Sequence, residues 1–170
     1  MKKIFITTIL VISVMLISNS LAQQLETTIF LPDSLSGLRG PQKLLYDSLN
    51  NTIYVGNANS ACVIAVDGAT NQKIARIATG QDIYAMCLNT TNNKIYTAAY
   101  DSNTVTIING STNQAITNIY VRSPQALAYN PTNNKIYVTD DRLHLRVISG
   151  TTDSIIDSIK VGYALKALCY

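Results

Sequence analysis

The sequence predicts an all-β fold made of repeated four-stranded units, because two short motifs recur with one common spacing. The first motif, Asn-Asn followed one residue later by Ile-Tyr, occurs at 50–55, 92–97 and 133–138. Its tyrosines are Tyr54, Tyr96 and Tyr137, which are 42 and 41 positions apart. The glycines of the second motif are Gly68, Gly110 and Gly150, which are 42 and 40 positions apart. Two independent motifs with one period indicate a repeat of about 41 residues.

Each repeat contains four short segments of β-forming residues. In the middle repeat we predict strands at 84–88, 94–98, 104–108 and 115–121. The Asn109-Gly110 pair favours a tight hairpin turn, because both residue types tolerate positive φ. The runs at 63–66 and 105–108 are apolar on both faces, which is typical of strands buried between two sheets. Four antiparallel strands in a unit of this length predict a β-propeller blade, with a parallel β-helix as the structural alternative.

These units define the domain organisation. We expect a leading strand and loop at 23–42, followed by a partial β-propeller at 43–170. Three blades are predicted at about 43–83, 84–124 and 125–165, and the start of a further blade follows them. Three blades form an open arc, because propellers typically close with four to eight blades. We therefore expect a longer chain or self-association to supply the missing blades.

The first 22 residues have the features of a signal peptide. Lys2 and Lys3 precede an apolar run at 4–17, and Ser20-Leu21-Ala22 ends in the small residues that a signal peptidase requires. The run is shorter than the roughly 20 residues of a membrane-spanning helix. We predict cleavage after Ala22 and an exported protein, whether periplasmic, cell-surface or extracellular. An uncleaved N-terminal anchor is the alternative.

The repeat resembles that of the YVTN β-propeller proteins. Their Tyr-Val-Thr-Asn motif appears here as Tyr137-Val138-Thr139-Asp140 and more loosely at 54–57 and 96–99. The surrounding pattern is similar too, with Ala-Leu-Ala-Tyr-Asn-Pro at 126–131 before the motif and Asn109-Gly110 after it. This resemblance implies a larger propeller, seven-bladed in total, of which the chain is a part. It implies little about activity, because propellers host many functions.

Composition and charge argue against several classes of function. After residue 22 the chain has 11 basic and 10 acidic residues, so we expect neither nucleic-acid binding nor a membrane partner. His144 is the one histidine, which excludes a site with several histidine ligands, and we expect no metal and no cofactor. We interpret His144 as an ordinary strand residue. The three cysteines, Cys62, Cys87 and Cys169, are an odd number, which excludes a complete disulfide framework, and Cys87 and Cys169 are expected to be buried thiols.

The predicted binding site lies where each fourth strand connects to the next first strand. These connections, at 31–41, 80–83, 122–125 and 162–165, vary between repeats and gather at one mouth of a propeller channel. They make Arg39, Asp82 and Arg122 the candidate ligand-binding residues, whereas the repeated Tyr54, Tyr96 and Tyr137 are expected to pack between sheets.

We expect a non-enzymatic binding or interaction scaffold whose partner is an unknown protein or small ligand. Two alternatives remain open, a lactonase-like hydrolase with a site at the channel mouth and a redox subunit similar to quinoprotein propellers. The sequence does not decide whether the protein is an enzyme, and it offers no catalytic residues.

Overall fold

A computed structural model describes residues 40–162, and within this range the chain forms three four-stranded antiparallel sheets. The first sheet comprises β1 (Pro41–Asp47), β2 (Thr52–Asn57), β3 (Cys62–Asp67) and β4 (Lys73–Ala78). The second comprises β5 (Ile83–Asn89), β6 (Lys94–Ala99), β7 (Thr104–Asn109) and β8 (Gln114–Tyr120). The third comprises β9 (Ala126–Asn130), β10 (Lys135–Thr139), β11 (His144–Ser149) and β12 (Ser154–Lys160).

In every sheet the strands pair in chain order, each antiparallel to the next. The four strands predicted for the middle repeat match β5 to β8 to within one residue at each end. The predicted four-stranded antiparallel units are therefore confirmed. The predicted signal peptide, Arg39 and Cys169 lie outside the described residues.

The sheets pack face to face through two apolar cores. Between the first and second sheets, Tyr54, Val63 and Ala65 meet Ile83, Ile95 and Ile108. Between the second and third sheets, Tyr96, Val105 and Ile107 meet Leu127, Ile136 and Val138. The third strand of the second sheet, β7, is consequently buried from both sides, and all residues at 63–66 and 105–108 are buried. This burial explains why those strands lack the alternation of a one-sided sheet.

Because successive strands run in opposite directions, the turns and loops of the sheets lie at two opposite ends, which we call rims. The turns between first and second strands, and between third and fourth strands, lie at one end, which we call the lower rim. The loops between second and third strands, and between successive sheets, lie at the other end, which we call the upper rim. At the lower rim a left-handed residue closes every turn: Asn51, Asn71, Asn93, Asn113, Asn134 and Asp153, with φ between 48° and 58°. Asn and Asp tolerate this conformation better than other non-glycine residues.

Candidate functional site

The lower rim is built from residues that recur in every repeat, and its bonds run from one sheet to the next. The Tyr54 hydroxyl donates to Asn113 Oδ1 in the second sheet at 2.6 Å. The Tyr96 hydroxyl donates in the same way to Asp153 Oδ1 in the third sheet at 2.8 Å. Lys94 Nζ forms an ion pair with the same carboxylate, 2.7 Å from Asp153 Oδ2. Tyr54 and Tyr96 therefore each reach the left-handed residue in the turn between the third and fourth strands of the following sheet.

These tyrosines act as structural hydrogen-bond donors. Tyr54 and Tyr96 are both fully buried. Burial raises the pKa of Tyr54, with a smaller contribution from the charge of Asp47. Burial also raises the pKa of Tyr96, and the hydrogen bond to Asp153 raises it further. Both phenols stay protonated at any physiological pH, so neither is suited to act as a general base.

Tyr137 differs from the other two tyrosines. Its neighbours Ile136 and Val138 face the second sheet, so strand alternation turns Tyr137 to the opposite face. It is half-buried, and its hydroxyl accepts one long hydrogen bond, from Asn133 Nδ2 at 3.5 Å. Within residues 40–162 no further sheet faces it, so the expected packing of Tyr137 between two sheets is not seen there.

The upper rim holds a groove of about 680 Å³ that is lined by all three sheets. The first sheet contributes Gln42, Lys43 and Asn59, and the third contributes Gln125. The second sheet contributes Asp82, Tyr84, Tyr100 and Asp101. The groove thus collects side chains from the starts of the first strands and from the upper-rim loops, and of these residues Asp82 and Gln125 belong to the connections that were predicted to form a binding site.

Equivalent positions carry different side chains in this groove. Leu45, Cys87 and Ala128 pair with the three repeat tyrosines, so these three residues occupy equivalent positions in the first strands of the three sheets. Five residues before them stand Gly40, Asp82 and Ser123, which share a left-handed backbone with φ of 73°, 61° and 40°. Three residues before them stand Gln42, Tyr84 and Gln125. The backbone repeats, while Asp82 is the one acidic residue and Tyr84 the one aromatic residue of these two sets, whereas the tyrosines of the lower rim recur in all three sheets.

The second sheet gives the groove an aromatic and acidic character. The rings of Tyr84 and Tyr100 stack with centroids 4.7 Å apart and planes 16° from parallel. Partial burial raises the pKa of Asp82, and the negative charge of Asp101 raises it further. The pKa of Tyr84 is raised chiefly by the charge of Asp82. These shifts show that the two carboxylates and the tyrosines share one electrostatic environment.

The structure describes two of the three residues predicted for the site, and it places them in different surroundings. Asp82 lines the groove. Arg122 instead lies with its Nε 3.5 Å from Asp141 Oδ1 in the third sheet, and it is not among the groove residues. Arg39 lies outside the described residues. Sequence reasoning missed Tyr84, Tyr100 and Asp101, although the differences between equivalent positions of the repeats could have identified them.

His144 belongs to a separate polar cluster around Asp140. The Asp140 carboxylate is buried and accepts hydrogen bonds from the backbone N–H groups of Arg142 and His144 at 2.9 Å each. It also lies 3.1 Å from Arg146 Nε and 3.7 Å from His144 Nδ1. These contacts fix the loop between β10 and β11, which gives the cluster a structural role.

Residues 40–162 offer few groups suited to nucleophilic catalysis or metal binding. Burial raises the pKa of the Cys87 thiol to about 12, so it is not poised as a nucleophile. Within residues 40–162 no three His, Cys, Asp or Glu side chains converge in a way that could hold a metal ion. The same residues contain no helix with the length and apolar character needed to cross a membrane.

Comparisons with known proteins identify the fold. No family model matches the sequence, and no curated protein matches it. Among solved structures, hydrazine synthase of Kuenenia stuttgartiensis is similar with a TM-score of 0.70 and 19% identity, covering 85% of this chain and 41% of that one. Apo AztD from Citrobacter koseri is similar with a TM-score of 0.61 and 17% identity, covering 78% and 39%.

The WD40 repeats of RRP9 are also similar, with a TM-score of 0.62 and 14% identity over 74% of this chain and 41% of that one. The chain thus spans well under half the length of the structures it matches. At these identities the likeness shows the fold alone. The three sheets are blades of a β-propeller repeat protein, so the predicted fold class is confirmed.

Proposed function

We propose that this chain is part of an exported β-propeller protein of the YVTN type, which acts as a non-enzymatic binding scaffold through the upper-rim groove. One observation carries the proposal: at equivalent upper-rim positions the repeated backbone carries different residues, such as Gly40, Asp82 and Ser123. Recurring residues such as Tyr54 and Tyr96 instead pack between neighbouring sheets. Residues that differ at one rim provide a surface for a specific ligand.

The side chains of the groove support binding rather than nucleophilic catalysis. Its lining offers amides, carboxylates, one ammonium group and two phenols, and no histidine, cysteine or serine is among the described lining residues. Convergent polar groups around an aromatic surface are typical of ligand recognition. The scaffold is the lower rim, where direct side-chain bonds hold neighbouring sheets in fixed positions.

A lactonase-like hydrolase is the second candidate, and the pair Asp82 and Asp101 is the observation that favours it. A carboxyl group whose pKa is raised is suited to general acid–base catalysis. A redox subunit similar to quinoprotein propellers is the third candidate, and none of residues 40–162 specifically favours it.

An activity screen separates the two leading candidates. The purified protein is assayed with lactone and ester substrates, with and without divalent metal ions, beside an Asp82→Asn variant and an Asp67→Asn control. Asp67 is the last residue of β3 and its carboxylate accepts a hydrogen bond within a lower-rim turn, so its replacement by Asn removes the same charge far from the groove. The scaffold proposal expects no turnover above background in any sample. Turnover that disappears in Asp82→Asn and persists in Asp67→Asn would establish the hydrolase instead.

We also propose export by cleavage after Ala22, because the first residues combine two lysines, a short apolar run and a small-residue terminus. N-terminal sequencing of the exported protein is expected to begin at Gln23. An intact Met1 on a membrane-bound form would favour the uncleaved anchor.

For a partner, we propose that a further blade, from a longer chain or another copy, covers the face of the third sheet that carries Tyr137. Lys135 and Tyr137 stand at the positions of Lys94 and Tyr96, whose polar ends both reach Asp153. If Lys135 and Tyr137 bind the next blade as Lys94 and Tyr96 bind theirs, the covering blade has an Asp or Asn in the turn between its third and fourth strands. Light scattering after size-exclusion chromatography tests self-association. A dispersed monomer that binds no hydrophobic dye would contradict an uncovered blade face.

A further inference from the structure

The side chains of the upper-rim groove point to one chemical class of ligand. We propose that the groove binds an organic cation, an ammonium or guanidinium group on an apolar carrier, between the carboxylates and the stacked tyrosines of the second sheet. This inference rests on the proposed binding function and names the chemical class of the ligand.

The carboxylates supply the charge. Asp82 and Asp101 line the same groove, and neither forms an ion pair with another described residue. Among the described lining residues Lys43 is the one cationic side chain, so these residues carry a net negative charge when both carboxylates are ionised. Partial burial disfavours ionisation of Asp82 and raises its pKa, and the negative charge of Asp101 adds to this effect. A bound cation offsets this penalty, because it stabilises the ionised form of Asp82.

The tyrosines supply the surface for the carrier. Tyr84 and Tyr100 form a stacked pair, and 39% of Tyr84 is exposed. An aromatic face attracts ammonium and guanidinium groups and also covers the methylene groups attached to them. Neither tyrosine has an aromatic equivalent in the other two sheets, where Gln42 and Gln125 match Tyr84, and Ala58 and Asp141 match Tyr100. The aromatic and acidic groups thus coincide in one sheet.

The same side chains are poorly suited to a bare metal ion. Calcium takes six to eight oxygen ligands and magnesium demands six in an octahedron. Here the described lining offers two carboxylates, and no cluster of three potential metal-ligating residues occurs in residues 40–162. An organic cation needs only one or two acceptors beside an apolar surface, which the groove provides.

The test uses the full chain and follows tyrosine fluorescence and calorimetry during titration with three probes: n-butylguanidinium, n-butylamine and the neutral sugar glucose. We expect both cations to bind and glucose not to bind. Asp82→Asn is expected to weaken cation binding by about tenfold, as for loss of one charge-assisted hydrogen bond. The Asp67→Asn control is expected to leave it unchanged. Asparagine also tolerates the left-handed backbone of residue 82, so the variant should fold.

A pH series and a peptide arm complete the experiment. Cation affinity is expected to fall as the pH decreases through the raised pKa of Asp82, at a higher pH than an ordinary aspartate requires. An arginine-containing tetrapeptide that binds more tightly than butylguanidinium would identify a protein side chain as the source of the cation. Tighter binding of the free cation would identify a small molecule.

Three outcomes would overturn the inference. Glucose binding that Asp82→Asn leaves intact would retain the binding groove and reject the cationic ligand. Equal weakening in Asp82→Asn and Asp67→Asn would show only nonspecific charge attraction. Failure of all three probes would reject the cation class, whereas lactone turnover by the same sample would reject the binding function itself.

Discussion

The hydroxyl of Tyr96 provides the sharpest test of how the blades are held together. Tyr96→Phe keeps the buried ring and removes one hydrogen bond, the 2.8 Å contact with Asp153 Oδ1. Hydrogen bonds to charged groups contribute about 1.5–3 kcal/mol to stability. Asp153 keeps its ion pair with Lys94, so its carboxylate is not left unpaired. We therefore expect the free energy of unfolding to fall by about 2 kcal/mol.

Tyr137→Phe is the matched control. It makes the same chemical change at the equivalent position of the next repeat, where the hydroxyl has only the 3.5 Å contact with Asn133. We expect a loss below about 0.5 kcal/mol there. Urea unfolding followed by circular dichroism measures both variants, and a double-mutant cycle with Asp153→Asn isolates the coupling of Tyr96 to Asp153. Equal losses at Tyr96 and Tyr137 in a sample that light scattering shows to be monomeric, or no coupling in the cycle, would refute the proposed role of the inter-blade bond.

Three further predictions follow from packing, backbone and burial. Tyr96→Ala removes a fully buried side chain and is expected to cost about 3–5 kcal/mol, measured as the same urea midpoint shift; an unchanged midpoint would mean that the ring is exposed. Asn93 has φ of 50°, so Asn93→Ala is expected to lower the melting temperature more than Asn93→Gly, and the reverse order would contradict a left-handed turn. Burial raises the pKa of the Cys87 thiol to about 12, so we expect it to react with a thiol reagent at pH 8 only when urea unfolds the protein. Rapid labelling of the native protein would show instead that the thiol is accessible.

The sequence predicted the blades well because their strands are defined by local signals that repeat. Turn residues such as Asn109-Gly110 and the doubly buried run at 105–108 mark where strands end and which strand is central. Both signals depend only on residues near each other in the chain, so they needed no knowledge of tertiary contacts. The strands observed in the middle repeat accordingly differ from the predicted ones by single residues at their ends.

The site was harder to predict, because it depends on which loops meet across sheets. Asp82 was named from its place in a variable loop, and it does line the groove. Arg122 occupies a similar loop, yet its contact is Asp141, a partner that no local pattern indicates. The stack of Tyr84 on Tyr100 joins a first strand to a loop sixteen positions later, and its residues look like ordinary strand and turn residues in the sequence.

The side-chain bonds of the lower rim also determine how the molecule comes apart. Among the described residues, each side-chain bond between sheets at this rim links a sheet to its immediate neighbour in the chain, as Tyr54 does to Asn113 and Tyr96 to Asp153. Stability in such an array is approximately a sum of terms for individual units and nearest-neighbour interfaces. A sheet with one neighbour therefore opens at lower free energy than a sheet held between two. Amide hydrogen exchange should accordingly be slowest in β6 and β7 of the second sheet, and under mechanical load the array should separate one sheet at a time instead of in a single event.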